Sequence, residues 1–180
     1  MFERTAQLSS ALQSAKESYE NTLLALGAAL DLRDGRTDHS RRVCEYALEI
    51  ARRMGCSEIQ LKSLSQGALL RDIGKLAIPD SILSKPGKLT PEEWNTMRGH
   101  VQIGYELVSR IPFLRDAVVL VLSHHERYDG TGYPRGLQGE QIPLSARIFA
   151  VADAFDAMTS PRSYQATRLV SQAIRNASDG

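Results

Sequence analysis

Apolar residues along the chain recur mainly at intervals of three and four, the spacing of helices that bury one face. Leu8, Leu12, Ala15, Tyr19, Leu23, Leu26 and Leu30 keep that step and predict one long first helix. Such a helix either packs on its own domain or pairs with a second copy in a homodimer. A second helix is predicted from a cap at Thr37 or Asp38, with Val43, Ala47, Ile50 and Met54 inward and Gly55 as its stop. A third runs from Ser57 with Leu61, Leu64 and Ala68 on one face, which Asp72 continues by one turn, so its carboxylate points inward. Pro79, Pro86-Gly87 and Pro91 then mark a loop before a helix over 92–98. Further helices are predicted over 100–110, 113–124, 143–158 and 162–176. No alternating runs suggest a strand, and there is no repeat or low-complexity tract. The expected class is all-α.

Composition narrows the setting. A chain of 180 residues, 42% hydrophobic and 24% charged, is long enough for one domain with a proper core. A net charge of +1 gives no basic face for nucleic acid or an anionic membrane. No apolar run approaches a membrane span, and Met1-Phe2-Glu3-Arg4 does not open a signal peptide. Cys44 and Cys56 are spaced unlike zinc-ligand pairs and read as reduced thiols, so the expected location is cytoplasmic.

The candidate chemistry centres on residues 124–134, His-His-Glu-Arg-Tyr-Asp-Gly-Thr-Gly-Tyr-Pro. Adjacent side chains on a helix diverge by about 100°, so His124 and His125 reach one point only where the helix ends. The Asp129-Gly130 and Thr131-Gly132 steps supply an ending. Asp153 lies within the predicted helix of Ile148, Phe149, Val151, Ala152, Phe155 and Met158, which is apolar nearly all round and should be buried. A buried carboxylate requires a cation, a metal or several hydrogen bonds. The four histidines, His39, His100, His124 and His125, all fall at helix ends, where separate helices converge. With Asp72 and Asp153 they make a mixed nitrogen and oxygen donor set suited to iron or manganese. Spacing alone leaves open that these are ordinary core and surface residues.

Several segments together resemble the HD-GYP family. They are Asp72-Ile73-Gly74-Lys75, residues 79–87, residues 89–94, residues 124–134 and Val151-Ala152-Asp153-Ala154-Phe155-Asp156. The likeness runs from about residue 23 to the end, leaving 1–22 as a helical lead-in or connector and 23–180 as the family domain. The resemblance implies an all-α bundle of the HD superfamily. It also implies hydrolysis of cyclic di-GMP with two or three divalent metal ions. Carried over by position, His39, Asp72, His100, His124, His125 and Asp153 correspond to metal ligands. Lys75 corresponds to a lysine near the metals and the scissile phosphate, and with Asp72 makes the expected catalytic pair. Gly132, Tyr133 and Pro134 correspond to the substrate loop, and Arg162 to a phosphate-binding arginine.

Departures from the family pattern are equally specific. Arg71 stands where the family's His-Asp pair has its histidine, and a guanidinium offers only donors, so it cannot coordinate a metal. Arg71 is expected to pair with Asp72 or Asp153 in place of a cation. Gly35 stands where members with three metals carry a glutamate, with Asp34 beside it, and Gln165 falls where a second basic phosphate contact is usual. The chain ends at Gly180, where the family usually continues with one more helix. Two functions therefore compete: a cyclic di-GMP phosphodiesterase on a reduced metal site, and a catalytically inactive module that binds the nucleotide or a signalling protein.

Overall fold

The computed structural model describes residues 2–160, so the predicted helix over 162–176, Arg162 and Gln165 lie outside the described residues. Within them the architecture is helical with no strand. Helix α1 (Phe2–Arg33) leads into α2 (His39–Arg53) and α3 (Glu58–Leu70). A 3-10 turn at Ile73–Ala77 follows, then α4 (Asp80–Leu83), α5 (Pro91–Arg98), α6 (His100–Ser109), α7 (Val118–Ser123) and α8 (Leu144–Thr159).

Local chemistry sets these boundaries. At α3 the Ser57 side chain accepts from Gln60 N–H while the Gln60 side chain accepts from Ser57 N–H; Thr90 and Glu93 repeat the arrangement at α5. The start of α2 differs from expectation. Asp38 precedes it with φ 53° and its side chain caps nothing. Instead, buried Asp31 at the end of α1 accepts from the Ser40 backbone N–H at 2.7 Å and from Ser40 Oγ at 2.6 Å. The cap is supplied from the preceding helix, which also fixes the α1–α2 corner.

The core is built where α2 packs against α3 and α8, and α7 closes over them. Val43, Ala47, Leu64, Ala68, Leu120, Val121, Phe149 and Ala152 are buried there. Burying each larger side chain contributes roughly 1.5–3 kcal/mol. Three expectations need correction. Along α1, Leu8 and Leu12 are exposed, and Leu26 also faces out because the inward step runs through Tyr19, Leu23, Gly27 and Leu30. Met54 is exposed, because it is the C-cap of α2 and not part of its inner face. The single helix predicted over 113–124 is a 3-10 turn at Pro112–Leu114 followed, after a break, by α7. No helix among the described residues is long and apolar enough to cross a membrane.

Candidate metal centre

Helix α3 ends at Leu70, so Asp72 belongs to the following turn and not to a continuing helical face. It still points inward, because the turn is pressed against α6. A Cβ on Gly74 would overlap the His100 carbonyl, so only glycine allows this approach. That contact brings Asp72 Oδ1 to 3.6 Å from His100 Nε2 and 3.9 Å from His124 Nε2. His124 and His125 sit just past the end of α7, where consecutive side chains can face one site. Asp72, His100, His124 and His125 each offer a ligand atom, and all four atoms lie within 4.8 Å of one another.

The protonation of this cluster follows from its surroundings. His100 Nδ1 lies 2.7 Å from the Met97 carbonyl and His124 Nδ1 lies 2.8 Å from the Val121 carbonyl. A carbonyl only accepts, so both Nδ1 atoms carry hydrogen and the two Nε2 atoms present lone pairs. Those Nε2 atoms are 3.4 Å apart. Burial lowers the pKa of His124 well below the imidazole value and also lowers His100, and it lowers His125 to about 4. Burial alone would raise Asp72, but the charges of Arg71 and Lys75 outweigh it and hold the carboxyl well below its usual range. Three neutral imidazoles and one carboxylate thus converge with no proton between the facing nitrogens. The fixed Nδ1–H bonds to carbonyls are the outer support that metal-ligating histidines use. This donor set fits a divalent ion.

The other predicted ligands are arranged differently. His39 Nδ1 lies 2.8 Å from Asp156 Oδ2, and its Nε2 lies 3.2 Å from Asp153 Oδ1 without good hydrogen-bond geometry. Burial would lower the His39 pKa, but the two carboxylates outweigh it and raise the value. Asp156 also accepts from Arg42 Nε at 2.7 Å and from Ser160 Oγ at 2.7 Å. Among the described residues, His39 and Asp153 are not part of the four-donor group. Asp153 is also less enclosed than its helix predicted, with its side chain 44% exposed. Among the described residues α8 packs on one side, leaving Ala150, Val151 and Ala154 exposed.

Arg71 is buried between the two groups. Its Nε is 3.2 Å from Asp72 Oδ2, one of the two partners expected for it. Nη1 donates to the Ala68 carbonyl at 2.7 Å and to Ser40 Oγ at 3.1 Å, and the guanidinium lies over the Phe149 ring. Lys75 Nζ bridges Asp34 at 2.6 Å and Asp72 at 3.0 Å. Gly35 is exposed, so at this end of α1 it is Asp34 that reaches the cluster, through Lys75.

The loop after the histidines is tied down by Glu126, whose side chain is fully buried and accepts from the Arg135 and Leu137 backbone N–H groups, each at 2.9 Å. Gly132 lies so close to the backbone of 125–127 that any Cβ would overlap it. Tyr133 stacks on the His125 ring with centroids 4.7 Å apart. Burial pushes its hydroxyl pKa up to about 12, although Arg98 opposes this. Pro134 follows it on the exposed edge of the loop. The sequence pointed to neither Asp31 nor Arg98, and to Glu126 and Asp156 only as parts of matched segments. Their roles depend on partners 9 to 117 residues away.

An all-α bundle holding a histidine and aspartate cluster at the meeting of three segments defines a helical domain with a candidate metal site. Residues 26–178 match the HD domain family, and the chain belongs to that family. It is 46% identical over 162 residues to the cyclic di-GMP phosphodiesterase response regulator RpfG of Xanthomonas campestris pv. campestris, covering 88% of this chain and 43% of that protein. It is 48% identical over 139 residues to a cyclic di-GMP phosphodiesterase of Thermotoga maritima, covering 76% of this chain and 38% of that protein. The chain therefore spans less than half the length of these relatives. The solved structure of the cyclic GMP-AMP specific phosphodiesterase V-cGAP3 of V. cholerae superposes with a TM-score of 0.69 at 20% identity, over 87% of this chain and 43% of that one. That likeness supports the fold.

Proposed function

We propose that this chain is a metal-dependent cyclic di-GMP phosphodiesterase domain whose site is reduced to one ion, with hydrolysis correspondingly weak. The observation that carries the reading is the pair of facing Nε2 lone pairs of His100 and His124, 3.4 Å apart and backed by fixed Nδ1–H donors. Asp72, His100, His124 and His125 would hold the ion. When bound, a divalent iron or manganese ion supplies Lewis acidity toward phosphate oxygen and water made acidic enough to attack near neutral pH. The chain's own residues do the rest. Asp72 stays ionised, the Lys75 Nζ lies beside it at 3.0 Å, and Tyr133 packs on the face of His125 and fixes that ring. Gly132 and Pro134 shape the loop that carries Tyr133, and Arg162 is assigned to a phosphate as a bidentate donor.

Arg71 is the reason for proposing one ion. Its guanidinium, with the charged pairs of His39, Asp153 and Asp156, fills the place where a second cation would sit. Residues 1–22 are assigned as a connector, and a homodimer through α1 would cover the exposed Leu8 and Leu12. A second reading, a module that binds cyclic di-GMP without turnover, is favoured by the same buried guanidinium. Purified protein supplied with iron or manganese and assayed for cyclic di-GMP hydrolysis tests the proposal. Slow hydrolysis that disappears on chelation supports it. Binding without any turnover selects the second reading, and neither binding nor turnover overturns both.

A further inference from the structure

The metal cluster does not end at His125. Its imidazole is stacked on Tyr133 with an interplanar angle of 21°, and the Arg98 guanidinium lies 5.1 Å from the Tyr133 ring centroid on the way outward. The same guanidinium lies 5.9 Å from the ring centroid of Trp94. Imidazole, phenol, guanidinium and indole thus form one continuous series of planar groups from the cluster to the surface. At its outer end is an open groove of about 360 Å³ lined by Leu89, Pro91, Trp94, Asn95 and Arg98.

Trp94 is the chain's single tryptophan and is 47% exposed. Its backbone is held firmly nevertheless. The Thr90 and Glu93 cap fixes the start of α5, and Lys85 Nζ pairs with Glu93 at 2.6 Å. An exposed indole on a fixed helix, beside a guanidinium and continuous with a phosphoryl-transfer type site, has the character of a base-stacking platform. Every nucleobase presents a π-face to such a surface, and purines present the largest. The guanidinium adds donors for the acceptor edge that guanine carries at O6 and N7.

We infer that the groove at Trp94 and Arg98 is a nucleobase subsite, taking one purine of a cyclic dinucleotide whose phosphate lies at the metal cluster. Trp94 stacks on the base, and Arg98 contacts its edge while remaining over Tyr133. The inference rests on the cyclic dinucleotide reading above and adds the residues that select the base.

Because Trp94 is the sole indole, its fluorescence reports on the subsite directly. Metal-loaded full chain is titrated with a phosphorothioate analogue of cyclic di-GMP, which resists hydrolysis, by calorimetry and by tryptophan emission in parallel. The expected result is saturable quenching with the calorimetric Kd, and no quenching by the base-free probe ribose 5-phosphate. Trp94→Ala and Arg98→Ala should each weaken binding about tenfold or more with unchanged metal content, and Trp94→Phe should recover most of the loss. Calorimetric binding with unchanged emission, equal quenching by ribose 5-phosphate, or parent-like binding by Trp94→Ala overturns the subsite and leaves the proposed function standing. Absence of calorimetric binding overturns both together.

Discussion

Two neighbouring groups of histidine and aspartate, separated by one arginine, have opposite electrostatic characters. In the group of Asp72, His100, His124 and His125, burial keeps the imidazoles neutral, and two lone pairs face each other with no donor between them. In the group of His39, Asp153 and Asp156, carboxylates raise the pKa of the imidazole, and Arg42 completes the charge balance. Residue types are the same in both, and only the arrangement of donors differs. The facing imidazole lone pairs suit the first group to an outside cation even though Asp72 is already paired with Arg71 and Lys75, whereas the imidazole of the second group faces carboxylates on both sides.

The largest effect that separates the two groups is on stability. Asp156→Ala leaves His39 and Arg42 without their shared carboxylate, and breaking such a buried pair costs about 3–5 kcal/mol. Chemical denaturation should show that loss, while the protein that remains folded keeps its metal. His124→Ala should do the reverse. It removes a ligand without removing an internal ion pair, and chelator competition should show metal affinity falling at least about 100-fold, about 2.8 kcal/mol.

Arg71 is the boundary between the groups, and moving that boundary gives a smaller effect. Arg71→His supplies a neutral imidazole beside Asp72 and removes the charge that repels a second cation. Metal content should rise, and cyclic di-GMP hydrolysis should increase about tenfold, about 1.4 kcal/mol in the barrier. Arg71→Ala is the control, since it removes the charge without adding a ligand and should not gain rate. A histidine variant that gains neither metal nor rate breaks the comparison at its centre.

The distinction was only half legible in the sequence. The helical class and the placing of His124 and His125 past a helix end follow from periodicity and glycine position, because those are local properties; Asp72 does point inward, but from a turn packed on α6 and not from the continued α3 face that periodicity suggested. Helix α8 spans Leu144–Thr159 where 143–158 was predicted. Its apolar composition also suggested that Asp153 would be buried, and there the prediction failed, because burial depends on what covers each face. The partition into two groups was not readable at all. It depends on Asp156 meeting His39 from 117 residues away and on Gly74 allowing the Asp72 turn to touch α6. Likewise Thr37 and Asp38 are the local candidates for the α2 cap, whereas Asp31 reaches Ser40 across the corner.

The most direct test of this account is the metal content of the purified chain, by elemental analysis after anaerobic preparation with iron or manganese supplied, alongside His39→Ala and His124→Ala. The account predicts about one ion per chain in the parent, the same content in His39→Ala, and a nearly empty site in His124→Ala. Two or three ions per chain, or a His39→Ala protein that loses its metal, would contradict it.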